Sequence, residues 1–230
     1  LNSLEKVKKV INGKPEHPPP LGCLFPAKIE NQKNSRELTS EKGWDWIGVY
    51  LNPGDYIPGQ KRFGKDKFLS LKGIFKIGIL EGPFQKHLFK EKVRLLGSLE
   101  EFSPFLIQGY LELQKLIEMN LKNCDAFLLA EDFLYQRGLM FSPAFFRTNI
   151  LEGIQELANL SSKSGKPFGF HADGDFSPIL GDLRKIGIKF IHGFDLVNLN
   201  HQDIKGFSLI VPKGIFLTDF PILWDDDPPD

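Results

Sequence analysis

The sequence predicts an α/β fold, a (β/α)8-type barrel that is either complete or shortened, and three observations carry that expectation. Short apolar runs alternate with stretches of helical periodicity, the pattern of parallel βαβ units whose strands are covered on both faces. The runs end repeatedly in acids or histidines: Asp55, Glu81, Glu131 with Asp132, His171 with Asp173, His192 with Asp195, and Asp219. In a parallel barrel every strand's C-terminal end lies on one face, so these groups would converge. An open doubly wound sheet also gathers ligands at its carboxyl ends and fits the alternation as well. The length, 230 residues, suits one α/β barrel.

The opening, LNSLEKVKKVINGK, is an amphipathic helix with Leu4, Val7, Val10 and Ile11 on one face. KPEHPPPLG must leave that helix, because proline lacks an amide donor and disfavours helix in the residue before it. LGCLFPAK is the first strand candidate, and residues 29–43 are loop or helix. DWIGVYL (45–51) and IFKIGIL (74–80) are strands, closed by Asn52-Pro53-Gly54 and Glu81-Gly82-Pro83. Residues 98–123 have helical spacing, with Ser98 and Glu101 as a capping box. AFLLAEDF (126–133) is a strand; residues 142–165 form one helix, capped by Ser142, with Pro143 at its first position and Gly165 past its end. PFGFH (167–171) is the next strand, residues 177–187 a helix opening on Ser177 and Pro178, and IKFIHGF (188–194) a strand. A short helix near 201–207 and a last strand, GIFLTDF (214–220), bring the count to about seven strands. The chain is expected to form a single domain over 1–230, with a helix and proline segment at 1–20 and a disordered acidic tail at 225–230.

Lys+Arg and Asp+Glu are both 29, so the formal charge is zero, which argues against nucleic acid or an anionic membrane as partner and for a small molecule or another protein. Cys23 and Cys124 lack metal-binding or redox spacing and suit a reducing compartment. No secretory signal and no apolar run of membrane-spanning length is visible, so the expected location is the cytoplasm. No Gly-x-Gly-x-x-Gly or Walker loop follows a strand, which leaves nucleotide binding without support.

His171 and Asp173 lie two apart on an extended segment, so their side chains point the same way. An imidazole and a carboxylate in one cavity can hold a borderline divalent ion such as zinc, or move a proton. The plainer alternative is that Asp173 caps a turn at Gly174 while His171 satisfies a carbonyl, and these two residues alone favour it. Glu131 and Asp132 are adjacent, so one enters the cavity and the other pairs outward, with Arg137 or Arg147 in reach. Glu131, Asp55, His171 and Asp173 are the catalytic candidates; Glu81, Gln85, His87, Gln136, Arg137 and Asp195 are placed to meet substrate. His192, inside an apolar strand, reads as a locally bonded buried histidine.

From about residue 126 to 195 the order of features resembles the uroporphyrinogen decarboxylase superfamily, which includes corrinoid-linked methyltransferases. AEDFLYQRGLMFSPAFFRTNILEGIQELANLSSKSGKPFGFHADGDFSPILGDLRKIGIKFIHGFD contains the acidic strand end, the Gln-Arg-Gly turn and the Ser-Pro helix opening. It also contains Gly-Lys-Pro, the strand ending in His-x-Asp-Gly, and the helix leading to Ile-Gly. KIGILEGPFQKH is similar to the family's Gly-Pro-Phe strand end. The resemblance implies a TIM barrel and metal-assisted methyl transfer involving a small substrate or a corrinoid protein. His171 and Asp173 would hold the ion, with Glu131 or Asp195 in support. Decarboxylation of a porphyrinogen, with Asp55 meeting pyrrole N–H groups, is the alternative; a binding or structural subunit with a degenerate barrel is a third. Residues 20–35 contain no arginine, where the decarboxylases carry several. Asp173 stands where thiol-directed methyltransferases have cysteine, so the second donor here is oxygen. The chain is also short for the family; a barrel missing strands would expose an edge that a second copy, as a homo-oligomer, could cover.

Overall fold

The computed structural model describes residues 1–24, 43–52, 69–88, 103–194, 203–215 and 220–226. Its first element, α1 (Ser3–Ile11), starts at a capping box: the Asn2 side chain accepts from the Glu5 amide, and the Glu5 carboxylate accepts from the Asn2 amide. The face carrying Val7, Val10 and Ile11 is buried.

Those three residues close the floor of a barrel. Its eight parallel strands are β1 (Leu21–Cys23), β2 (Trp46–Tyr50), β3 (Phe75–Glu81), β4 (Ala126–Ala130), β7 (Phe168–Gly174), β8 (Phe190–Phe194), β9 (Ser208–Pro212) and β10 (Ile222–Asp225). They pair in chain order, and β10 returns to β1 with Leu21 opposite Trp224. The closed ring excludes an open doubly wound sheet, and it removes the edge that a second copy would have covered.

Both faces of each strand are apolar because both are buried. Trp46, Phe75, Ile77, Ile79, Ala126, Leu128, Ala130, Phe190, Ile210 and Leu223 fill the lumen above Val7, Val10 and Ile11. Residues of opposite parity, such as Phe127, Leu129, Phe168, Phe170 and Ala172, face the helices. There they meet Leu106, Tyr110 and Leu113 of α3 (Ser103–Asn120) and Ile154 and Leu157 of α5 (Leu151–Lys163). Gly48 of β2 has no room for a side chain: a Cβ there would lie 1.9 Å from the Leu24 carbonyl oxygen.

Several boundaries differ from the sequence expectation. Of the segment 214–220, expected as the last strand, residues 216–219 lie outside the described residues; Ser208–Pro212 and Ile222–Asp225 form two strands, which brings the described barrel strands to eight. Residues 203–207 are turns rather than helix, so the chain is free to extend from Ser208. The stretch 142–165 is two helices, α4 (Pro143–Asn149) and α5, which meet at Ile150, where φ widens to −118° while the amide still bonds the Phe146 carbonyl at 3.0 Å. Ser142 does cap the first of them, its hydroxyl accepting from the Phe145 amide at 3.1 Å. The expected helix 177–187 contracts to α6 (Leu180–Lys185), since the Ser177 amide is spent on the Asp175 carboxylate at 2.8 Å. Glu81-Gly82-Pro83 opens a short helix, α2 (Pro83–Leu88), and the Gln136-Arg137 turn is the tip of a two-stranded hairpin, β5 (Leu134–Tyr135) and β6 (Gly138–Leu139). Asp225 is not tail but the end of the last strand, 6% exposed. The capping box at Ser98 and Glu101 lies outside the described residues.

Candidate functional site

Strand parity decides which polar side chains reach the barrel mouth. On β4, Ala126, Leu128 and Ala130 line the lumen, so the position two further on, Asp132, continues inward while Glu131 turns to the helices. On β7, His171 shares the inward parity of Gly169, because Phe168, Phe170 and Ala172 face outward. Between His171 and Gly174 the register against β8 slips by one residue, a bulge that re-aims the strand end.

Asp132, His171 and Asp173 thereby converge. One donor atom from each lies within 4.8 Å of the others. The His171 Nε2 is 3.9 Å from Asp132 Oδ1, and the Asp173 amide donates to the same carboxylate at 3.4 Å. Donors that share a tetrahedral ion at bond lengths of about 2.0–2.2 Å stand ~3.3–3.6 Å apart, so small rotations bring this set to a common divalent metal. His171 is 7% exposed and Asp173 opens to solvent, an arrangement with a closed side and an accessible side.

A second imidazole backs the first. His192 of β8 is opposite His171 in register, and their Nδ1 atoms are 2.9 Å apart. The His192 Nε2 is 3.7 Å from Asp225 Oδ2, and Asp225 Oδ1 accepts the Leu24 amide at 3.0 Å. Burial, with the neighbouring His171, holds the His192 pKa well below its usual value.

Glu131 has a different task. Its carboxylate accepts from the backbone amides of Phe84 and Gln85 at the start of α2, at 3.1 and 2.9 Å, and from the Tyr110 hydroxyl at 3.2 Å. Burial pushes its pKa up to about 8, against those three hydrogen bonds, which favour the charged form. The buried Tyr110 hydroxyl is pushed well above its usual value by the same burial and by Glu131. Glu131 thus ties α2 and α3 to β4 and is not in the His171 cluster.

Of the other expected residues, Glu81 ends β3 with lumen parity and is 2% exposed. Asn52 brackets its backbone, accepting its amide at 2.9 Å and donating to its carbonyl at 3.0 Å. Gln85 is buried in α2 with its amide on Glu131. Gln136 and Arg137 are exposed on the hairpin tip. Asp55, Asp195, Asp219 and the side chain of His87 lie outside the described residues. Sequence reasoning named Asp132 only as the alternative to Glu131, and it missed Asp225 and the contact between the two histidines. The spacing of two between Ala126, Leu128, Ala130 and Asp132 was the available signal for Asp132.

No protein-family model matches the chain, and no curated protein sequence does. Solved structures match in fold. A methyltransferase from Methanosarcina mazei superposes with a TM-score of 0.54 at 12% identity, over 92% of this chain and 82% of that one. A D-psicose 3-epimerase, determined in the presence of D-fructose, gives 0.56 at 11% over 90% and 84%. The IolI protein with a bound zinc atom gives 0.51 at 11% over 83% and 72%. These likenesses establish the TIM-barrel fold. Among the described residues no helix is long and apolar enough to cross a membrane.

Proposed function

We propose that the protein is a divalent-metal-dependent TIM-barrel enzyme in which Asp132, His171 and Asp173 hold the ion and a small substrate is activated beside it for methyl transfer. The observation that carries this reading is the meeting of three donors from two adjacent strands within 4.8 Å at the C-terminal mouth, where barrels of this type place their chemistry. One imidazole and two carboxylates suit zinc or a harder ion, not a thiolate-preferring one. A bound ion would supply Lewis acidity, lowering the pKa of a substrate hydroxyl or thiol so that it accepts a methyl group at neutral pH.

The chain's own groups do the rest. Asp132 and Asp173 would balance the charge of a bound ion, and His171, 7% exposed, would hold it from the buried side. The packed lumen of Ile79, Leu128 and Ala130 seals it from below. The resemblance of residues 126–195 to the uroporphyrinogen decarboxylase superfamily supports methyl transfer, with a corrinoid protein as methyl donor; the fold likeness to a methyltransferase agrees with it.

Dialysis against Zn²⁺ or Co²⁺ with metal analysis is the first test. The unaltered protein is expected to retain about one ion, and His171→Ala and Asp132→Asn to lose affinity by more than the ~10–100-fold typical of outer partners. Incubation with methylcobalamin and candidate hydroxyl or thiol acceptors then tests the transfer. Equal metal retention by the protein and both variants would refute the reading, and carbon dioxide release from uroporphyrinogen would replace methyl transfer with decarboxylation.

A further inference from the structure

Two imidazole nitrogens 2.9 Å apart can form a hydrogen bond only if one carries the proton and the other the lone pair. The His171–His192 pair therefore has two arrangements, and its surroundings distinguish them. Asp225 is held by the Leu24 amide and points its second oxygen at His192 Nε2, 3.7 Å away. A buried carboxylate facing that nitrogen favours a proton there over a lone pair. With Nε2 protonated, neutral His192 accepts at Nδ1, so His171 must donate from its own Nδ1. The lone pair of His171 then lies on Nε2, the nitrogen that faces Asp132 at 3.9 Å.

The opposite arrangement sets the His192 lone pair against Asp225 and spends the His171 Nε2 proton on Asp132. It cannot present a nitrogen ligand to a cation. The fold makes room for the productive pairing at Gly193, φ +82°, where a Cβ would lie 2.6 Å from His171 Nδ1 and 2.5 Å from the Ala172 carbonyl oxygen.

We propose that His192 and Asp225 are positioning residues: through the Asp225–His192–His171 chain they fix His171 as its Nδ1–H tautomer, so that Nε2 is offered to a divalent cation between Asp132 and Asp173. This rests on the metal reading above and deepens it, since histidine ligands commonly donate their second nitrogen to an outer partner that sets tautomer and basicity. Here that partner is a second histidine, itself oriented by a carboxylate on the strand that closes the barrel.

The decisive variant is Asp225→Asn. Its side-chain oxygen can still accept from Leu24, while its amide N–H turns to His192 Nε2 and demands a lone pair there. The proton order along the chain reverses, as an amide exchange behind a histidine does elsewhere. Imidazole ¹⁵N shifts in the metal-free protein read the tautomer directly, and Co²⁺ titration reads affinity and the visible spectrum. The unaltered protein is expected to show His171 as Nδ1–H. Asp225→Asn should show it as Nε2–H, with Co²⁺ bound ~10–100-fold more weakly and a displaced spectrum. His192→Phe, which keeps a ring but offers no acceptor, should weaken Co²⁺ to a similar degree. Far-UV circular dichroism checks that both variants are folded. An Nε2–H tautomer in the unaltered protein, or Co²⁺ affinity unchanged in both folded variants, would overturn this inference while leaving the metal site standing. An Nδ1–H tautomer with no Co²⁺ binding at all would instead sink the metal reading, and the positioning role with it.

Discussion

Glu131 sits against three donors and is held by burial at a pKa of about 8, far from the 4.5 usual for its type. Its titration is a stability term with a definite sign. Between about pH 4.5 and 8 the unfolded chain releases this proton while the folded chain keeps it, so folding is progressively disfavoured as pH rises through that window. Above about 8 both states are ionised and the contribution is level. Glu131→Gln removes the titration but presents an NH₂ group to amide donors that need acceptors. Urea unfolding from pH 5 to 8.5 should find the variant less stable at pH 5 by about 1–3 kcal/mol. The gap should narrow towards pH 8; a constant gap would mean that Glu131 is ionised throughout in the folded protein. Co²⁺ binding is expected to survive, because Asp132 and not Glu131 enters the cluster.

At the scale of elements, α1 is the floor of the barrel, with Ile11 2% exposed among lumen residues and the Ser208 hydroxyl donating to the Val10 carbonyl at 2.7 Å. Truncating Ile11 to Ala should cost about 2–5 kcal/mol of unfolding free energy and leave Co²⁺ affinity untouched, since the site is at the other end of the strands. A drop in affinity would show that floor and mouth are mechanically coupled. The amphipathic spacing made α1 legible from sequence, and β2, β3, β4, β7 and β8 were legible as apolar runs closed by polar residues. The last two strands were not. SLIVP and GIFLTDF are both short apolar runs, and periodicity does not rank one over the other. Pairing identifies the strands at Ser208–Pro212 and Ile222–Asp225, with Leu209 held opposite Ile191 and Ile222 opposite Leu209. The same limit applied to the site. His171 and Asp173 could be found by their spacing, whereas Asp225 looked like the first residue of an acidic tail until β10 gave it a partner strand.

Across the whole molecule, barrel closure and site geometry meet at one seam. Asp225 belongs to the last strand, the amide that holds it belongs to Leu24 after the first, and the Leu24 carbonyl is packed against Gly48 of the second. A methyl group at position 48 would lie 1.9 Å from that oxygen, and because the obstacle is backbone it cannot swing aside. Gly48→Ala must therefore displace the segment that carries Leu24, at a cost of about 1–3 kcal/mol or more. The displacement also loosens Asp225, and with it the chain that reaches His171. Gly48→Ala should thus lower both the urea midpoint and the Co²⁺ affinity, where Ile11→Ala lowers the midpoint alone. Measuring both quantities on both variants separates general loss of stability from loss of alignment at the seam. If Gly48→Ala bound Co²⁺ as tightly as the unaltered protein while unfolding earlier, the coupling of closure to the site would be wrong, and the mouth would be organised by β4 and β7 without help from the strands that close the ring.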